Sequence, residues 1–420
     1  MFVTFLVTLA LGFPIVFVLA ISSAAYVVLA GLPLAVIPQK MFAGIDSFVL
    51  LCIPGFILAG NLMNGGGITD RIMRFSQALV GHVRGGLGLA NVTGSMIFAG
   101  ISGTAVAETA SIGSVMIPGM KKVGYDGAFA AALTASASTV GPIIPPSVPM
   151  IIVGTLTGLS IGKLFLAGAV PGLLLGLGMM ITCYLLAVRR GYPQEPWQGF
   201  RELARGFGGA FWALLMTFII LYGIVGGVFT PTEAAVVSAT YAFFVGLFVY
   251  KGFTLRQVPG ILIDSAVSAA ALVLLVGFAN VFGWILTSER IPQALAAAML
   301  SLTENKYLII LLINILLLFV GMFMETIAAL IILFPPLLAV AVQVGIDPIH
   351  FGTFAVLNLM LGLTTPPVGV CLFVAANIGK VSLTQISRAV LPFLLCNLLI
   401  LFLVSYIPAL SLWLPSLFYE

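Results

Sequence analysis

Charge is what this sequence has least of. Only 7% of its 420 residues are Asp, Glu, Lys or Arg, against about a quarter in a soluble domain. That shortage excludes an ordinary water-soluble chain. Histidine occurs twice and cysteine four times. Cys52, Cys183, Cys371 and Cys396 all lie in apolar segments without paired spacing. They read as packing residues, with neither a disulfide nor a transition-metal site expected. No G-x-x-x-x-G-K-[ST] pattern occurs, so ATP-driven pumping by this chain is not expected. No arginine ladder runs through an apolar span, which argues against a voltage sensor. The longest polar stretch, 189–205, is too short for a soluble domain. No basic region precedes the first apolar run, so no cleaved signal peptide is expected.

What is there is apolar sequence: 61% of the residues are hydrophobic. Runs long enough to cross a bilayer recur, as at 211–228, 266–287 and 390–406. The chain reads as an all-α polytopic membrane protein. Segments 86–120 and 307–343 are about twice a normal span, and each holds one glutamate, Glu108 or Glu325. Such a segment fits a re-entrant helical hairpin that enters and leaves on one side; two ordinary spans with a short turn are the alternative. Segments 126–157 and 349–379 each carry a proline pair, Pro145-Pro146 and Pro366-Pro367. Proline bars regular helix and frees carbonyls. At membrane depth those carbonyls survive only where protein or a polar cavity satisfies them. The segment 2–31 is either one tilted span or two short ones broken at Gly12-Phe13-Pro14.

The basic residues set the expected topology. With both ends of 86–120 in the cytoplasm, all but Lys40, Lys163, Arg290 and Lys306 of the 17 basic residues fall inside. The second hairpin then opens to the far side, where the C-terminus also lies. The halves repeat in order: Pro14 with Pro231, Gly60 with Gly283, Ile68 with Ile291, Glu108 with Glu325, Pro118 with Pro335, Gly141 with Gly362 and Pro171 with Pro392. Opposite hairpin directions make this a repeat of inverted topology, a transporter pattern with binding sites near the midplane. The expected division is 1–188 for the first repeat, a cytoplasmic amphipathic linker at 189–210, and 211–420 for the second repeat.

The hairpin turn around Gly100 to Glu108 offers flexible glycines, including Gly103, the hydroxyls of Ser102 and Thr104, and the Glu108 carboxylate. The break adds carbonyls from Gly141 and Ile144. An oxygen-only set with one carboxylate suits a hard alkali cation such as Na⁺. Gly321, Glu325, Thr326, Gly362, Thr364, Thr365 and Pro367 mirror this set in the second half. An acid at the helix centre costs roughly 2.5–3.5 kcal/mol on insertion scales, which argues for a role at both glutamates. Capping a hairpin helix is the other reading, and it is compatible with ion binding. Helix N-termini beginning near Ser147 and Val368 would aim positive dipole ends at an anionic substrate. Ser147, Thr139, Thr364, Thr326 and Asn358 are the substrate candidates. Gly100-Ile101-Ser102-Gly103 matches the G-x-S-G of intramembrane serine proteases, but neither His82 nor His350 is placed to serve as its base.

These residues resemble the large membrane subunit of the tripartite ATP-independent periplasmic (TRAP) transporters, DctM/SiaM type. The likeness covers nearly the whole chain. It is strongest at Ser102 to Ser111, Gly141 to Pro149, Thr230-Pro231-Thr232-Glu233-Ala234-Ala235 and Thr364-Thr365-Pro366-Pro367. The resemblance implies Na⁺-coupled secondary uptake of an organic acid, such as a C4-dicarboxylate or sialic acid, by an elevator mechanism. It implies a bacterial inner membrane, a small membrane subunit of DctQ/SiaQ type and a periplasmic binding protein of DctP/SiaP type. The first Na⁺ site it implies uses Ser102, Glu108, Gly141, Ile144 and Pro146; the second uses Gly321, Glu325, Gly362, Thr365 and Pro367. The family commonly has aspartate at the position of Glu108, which puts direct ligation by the longer side chain in doubt. The other expectation to weigh is a two-part carrier or ion exchanger of similar architecture without a binding protein.

Overall fold

The computed structural model describes residues 1–420 apart from Gly103, Glu304 and Glu420, and apart from the side chains of Ala10, Gly100, Ile101, Ser102, Pro292, Leu295, Ala296, Leu300 and Leu302. The chain opens with α1 (Phe2–Ala10), α2 (Ile15–Leu29), α3 (Val36–Ile45), α4 (Cys52–Gly65) and α5 (Ile68–Val80). Segment 2–31 is therefore two short helices that pack on each other, broken where Pro14 caps α2. The first hairpin follows as α6 (Gly86–Ser102) and α7 (Ala105–Lys122). The first broken helix is α8 (Gly127–Ser138) and α9 (Val148–Thr157). Then come α10 (Ile161–Arg190), α11 (Phe200–Val225), α12 (Pro231–Phe244) and α13 (Val258–Ser288). The second half continues with α14 (Ile291–Leu302), the hairpin α15 (Lys306–Gly321) and α16 (Thr326–Gln343), and the broken helix α17 (Pro348–Gly362) and α18 (Val370–Gly379). It closes with α19 (Leu383–Tyr406) and α20 (Ala409–Phe418).

The expected linker at 189–210 contains the last two residues of α10 and the first turns of α11, so only 191–199 is irregular. The repeat is visible in the helices. Pro118 and Pro335 lie inside α7 and α16, and Pro171 and Pro392 lie inside α10 and α19.

Two groups of helices separate by burial. The broken helices form the centre of one group. Every residue of α8 from Phe129 to Ser138 is buried, as is every residue of α17 from His350 to Gly362. Helices that are buried all round belong inside a bundle. The alanine-rich sequence of α8 lets its neighbours α7, α18 and α19 approach closely. The second group is a scaffold of α2, α3, α4, α11, α12 and α13, packed mainly on one another. The 31-residue α13 keeps much of its apolar surface outward, where lipid would lie. Helix α5 leads from the scaffold to the first hairpin, and α14 leads to the second. Each starts from a residue with positive φ, Gly67 at 74° and Arg290 at 55°. Arg71 holds the first of these corners: Nη1 donates to the Gly66 and Gly67 carbonyls at 3.1 and 2.9 Å, and the guanidinium stacks over Tyr250 at 4.1 Å.

Candidate functional site

The first half-site forms where the tip of the first hairpin meets the first break. Thr104 caps α7, its Oγ1 accepting from the Ala107 amide at 3.3 Å. Glu108 therefore sits one turn inside the helix, fully buried. Its carboxylate lies against Gly141, where a Cβ would collide with Oε2. The break itself is closed by Ser147, which caps α9, accepts from the Met150 amide at 3.3 Å and donates to the Pro142 carbonyl. The Pro145–Pro146 peptide is cis, and Pro146 is buried while Ile144 is half-buried. Gly103 and the Ser102 side chain lie outside the described residues.

The second half-site is built from the same parts in another register. Glu325 is itself the cap of α16, its Oε2 accepting from the Ile327 and Ala328 amides at 2.9 and 3.2 Å. The capping reading of the sequence thus holds for Glu325, whereas Thr104 takes that role in the first half. Here backbone meets backbone: a Cβ on Gly362 would lie 2.5 Å from the Gly321 Cα. The Gly369 amide also donates to the Met322 carbonyl at 3.2 Å, tying the break to the hairpin tip. The Pro366–Pro367 peptide is cis, and Pro367 is exposed. Thr365 donates to the Leu361 carbonyl at 2.8 Å.

Both hairpin tips reach one cavity of about 440 Å³ between the two helix groups. The hairpins contribute Thr104, Ser111 and Glu325; the scaffold contributes Asn61 and Asn64 of α4 and Ser268 of α13. Glu325 is the one ionisable side chain among the described lining residues. Asn61 donates to Ser265 at 2.9 Å. Asn64 accepts from Thr69 at 2.9 Å and donates across the groups to Ser111 at 3.2 Å. Asn64 and Ser111 also line a second, open cleft of about 420 Å³ with Thr69, Asp70 and Ser114. Helix α7 runs from the first cavity past this cleft to Lys121 and Lys122.

The substrate candidates fall elsewhere. Ser147, Thr139, Thr364, Thr326 and Asn358 are fully buried, and none lines the cavity. Ser147 closes its break, Thr139 and Thr364 donate to the carbonyls of Ser136 and Leu361, and Asn358 donates to Asn314. Thr326 is different: its buried Oγ1 has no hydrogen-bond partner, and it adjoins Glu325 in the second half-site. Of the expected helix ends, α18 reaches the cavity through Val370, two residues beyond Val368, while no residue of α9 lines it. Asn61, Asn64, Ser111 and Ser268 were not expected. Two amides three residues apart share a face of an otherwise apolar helix, and that spacing was the signal for Asn61 and Asn64. His350 is locked between Ser411 at 2.6 Å and the Ser405 carbonyl at 3.1 Å, at the end of α17 away from the break.

A largely apolar cavity with a few polar groups, set at the meeting point of two inverted repeats with re-entrant hairpins and broken helices around it, defines a membrane transporter rather than an enzyme. Comparison narrows the class. Residues 2–410 match the family model of the DctM component of the tripartite ATP-independent periplasmic transporters, and the chain belongs to that family. It is 44% identical to the sialic acid TRAP transporter large permease protein SiaM of Vibrio cholerae, over 97% of this chain and 96% of that one. It is 43% identical to the C4-dicarboxylate large permease DctM of Pseudomonas aeruginosa, over 90% and 88%. The isethionate permease DctMQ of Oleidesulfovibrio alaskensis is 41% identical over 97% of this chain and 65% of its own length. Among solved structures, the YdaH transporter of Alcanivorax borkumensis superposes with a TM-score of 0.63 at 16% identity, over 90% of this chain and 87% of that one, a likeness of fold alone.

Proposed function

We propose that this large permease takes up an organic acid by Na⁺ symport across a bacterial inner membrane, with its C-terminus on the periplasmic side. A periplasmic binding protein delivers the acid, and a small membrane subunit completes the transporter. The observation that carries the reading is the convergence of two glutamate-bearing hairpin tips, one at a cavity wall and one against a break, beside a cavity shared with the scaffold. The donors suit Na⁺: carboxylate, hydroxyl and carbonyl oxygens around Glu108 and Glu325, with the orphan hydroxyl of Thr326 added to the second set. The first ion would be held by Glu108 with Ser102, Gly103, Thr104, Gly141, Ile144 and Pro146. The second would be held by Glu325 with Gly321, Gly362, Thr365 and Pro367. Each carboxylate offsets the charge of one ion, so that ion binding can order the hairpin tip against its break. The hairpins and broken helices then slide as a body along the scaffold and carry the cavity from one side to the other.

The test is uptake by the three-part transporter in proteoliposomes. Accumulation is expected only with an inward Na⁺ gradient and only with the binding protein. Equal accumulation in K⁺ on both sides would overturn the coupling. Accumulation without the binding protein would favour a two-part carrier.

A further inference from the structure

Two cavities between the helix groups share one feature of α13. The central cavity is lined by its Ser268 and Leu272, and a smaller cavity of about 200 Å³ by its Val276 and Asn280. These four residues are spaced by four, so they form a single ridge along the helix, tilted to its axis. The ridge is polar at both ends and apolar in its middle. Ser268 and Asn280 are 12 residues apart, about 18 Å at 1.5 Å per residue of helix. The other scaffold wall follows the same plan. Asn61 and Asn64 of α4 line the central cavity, and Ser47, just beyond α3, lines the smaller one. Across the smaller cavity stands α9 of the other group, with Ile152, Thr155 and Leu156.

The polar groups of the smaller cavity are built in. Asn280 donates from Nδ2 to the Val276 carbonyl at 2.9 Å, which orients the amide and keeps Oδ1 as an acceptor. A Cβ on Gly44 would fall 2.3 Å from the Asn280 Cγ, so glycine is what lets α3 close on that side chain. Ser47 precedes the next helical turn without capping it. Its hydroxyl is therefore not committed to that turn.

We propose that Ser47 and Asn280 are a second docking position for the transported solute on the scaffold, used at the other end of the stroke. This rests on the sliding motion proposed above. In the present arrangement the hairpin tips share a cavity with Asn61, Asn64 and Ser268. A slide of about 18 Å along the ridge brings the same tips opposite Ser47 and Asn280. A solute hydroxyl or N–H then exchanges one set of scaffold partners for the other. Between the two positions it passes Leu272 and Val276, which offer no hydrogen bond and so no resting place. The bond from Asn64 to Ser111 at 3.2 Å belongs to the first position and breaks as the stroke begins.

The test is uptake by the three-part transporter in proteoliposomes, with KM and kcat read apart. Asn280→Leu should raise KM roughly two- to tenfold, the scale of one lost hydrogen bond, with kcat and melting temperature near wild type. Ser47→Ala should raise KM by less. A purely structural Asn280 would instead lower the melting temperature and leave KM alone. Leu272→Asn puts an amide in the apolar middle of the ridge and should lower kcat several-fold, because the solute gains a halt partway. Unchanged KM in both Asn280→Leu and Ser47→Ala would overturn the proposal, as would an unchanged kcat in a folded Leu272→Asn. The sliding motion is checked separately by joining Asn64→Cys to Ser111→Cys in a disulfide. Uptake should stop on oxidation and return on reduction. Uptake that continues through the disulfide would sink the sliding motion itself. Uptake that stops, with KM unchanged in the first two variants, would leave sliding intact and remove the second docking position.

Discussion

The two half-sites share a sequence plan and differ by one helical turn. The alignment that pairs Glu108 with Glu325 pairs Thr104 with Gly321. Thr104 is a good capping residue, so α7 starts there and carries Glu108 inside its first turn. Gly321 has no side chain to cap with. The chain runs on through Met322, Phe323 and Met324, and Glu325 becomes the cap. Everything else follows from that offset. Glu108, placed inside the helix with Thr104 at the cap, lies against Gly141, so side chain meets break. Glu325 is held by two amides, and the hairpin backbone at Gly321 closes on Gly362 instead. The first break is buried and the second exposes Pro367. Sequence symmetry therefore need not give equal sites: the first packs a side chain against its break, the second packs backbone on backbone.

The largest test of that difference uses one substitution twice. Gly362→Ala puts a Cβ 2.5 Å from the Gly321 Cα, and backbone has nowhere to swing. Overpacking of this kind costs about 1–3 kcal/mol and sometimes more, so a clear fall in melting temperature is expected. For Gly141→Ala the nearest atoms belong to the Glu108 carboxylate rather than to backbone. It should fold with a smaller loss of melting temperature and instead need several-fold more Na⁺ for half-maximal uptake. Equal melting temperatures for the two variants would break the comparison.

The caps give the next effect. Glu325→Ala removes the acceptor for two amides, and losing a cap costs about 0.5–2 kcal/mol. Glu325→Gln keeps an acceptor oxygen and loses only the charge. It should hold its melting temperature close to wild type while uptake loses its Na⁺ dependence. Thr104→Ala removes one longer bond, 3.3 Å, and should cost less than Glu325→Ala by thermal unfolding. A larger loss for Thr104→Ala would reverse the assigned capping roles.

Much of this architecture was written in the punctuation of the sequence. Hairpins and breaks stand out because a lone glutamate and a proline pair are conspicuous in apolar sequence, and their order repeats. The break at Pro14 was visible but ambiguous, because chain length alone does not separate one tilted span from two short helices. The offset between half-sites was hidden, since Met322-Phe323-Met324 is as helix-compatible as what surrounds it. Its one clue was Thr104 facing Gly321 in the alignment. The scaffold wall was hidden for another reason. The spacing of Asn61 and Asn64 marks a polar face on α4, but that this face and Ser268 meet the hairpin tips follows only when helices distant in sequence pack. The buried hydroxyls of Ser147, Thr139 and Thr364 attracted attention by position, yet backbone carbonyls at or beside the breaks claim them.

The smallest effect on the fold, and the sharpest on function, belongs to Thr326. Its hydroxyl is buried without a partner in the half-site whose other groups are fixed by backbone. A buried, unsatisfied polar group costs about 1–3 kcal/mol. Thr326→Val keeps the shape and removes the hydroxyl. Two explanations of the orphan then diverge. If it has no ligand, the variant should melt at the same temperature or higher, with Na⁺ dependence unchanged. If it is an oxygen awaiting the second ion, the variant should be equally stable without Na⁺, gain less stability than wild type when Na⁺ is added, and require more Na⁺ for uptake. Thr326→Ser restores the oxygen and should restore the Na⁺ response. The first half-site has no described counterpart to this hydroxyl beside its glutamate, since Thr109, which follows Glu108, donates to the Ala105 carbonyl at 2.8 Å. Thr109→Val should therefore leave Na⁺ dependence as it is, and a matching loss there would make the two half-sites alike after all.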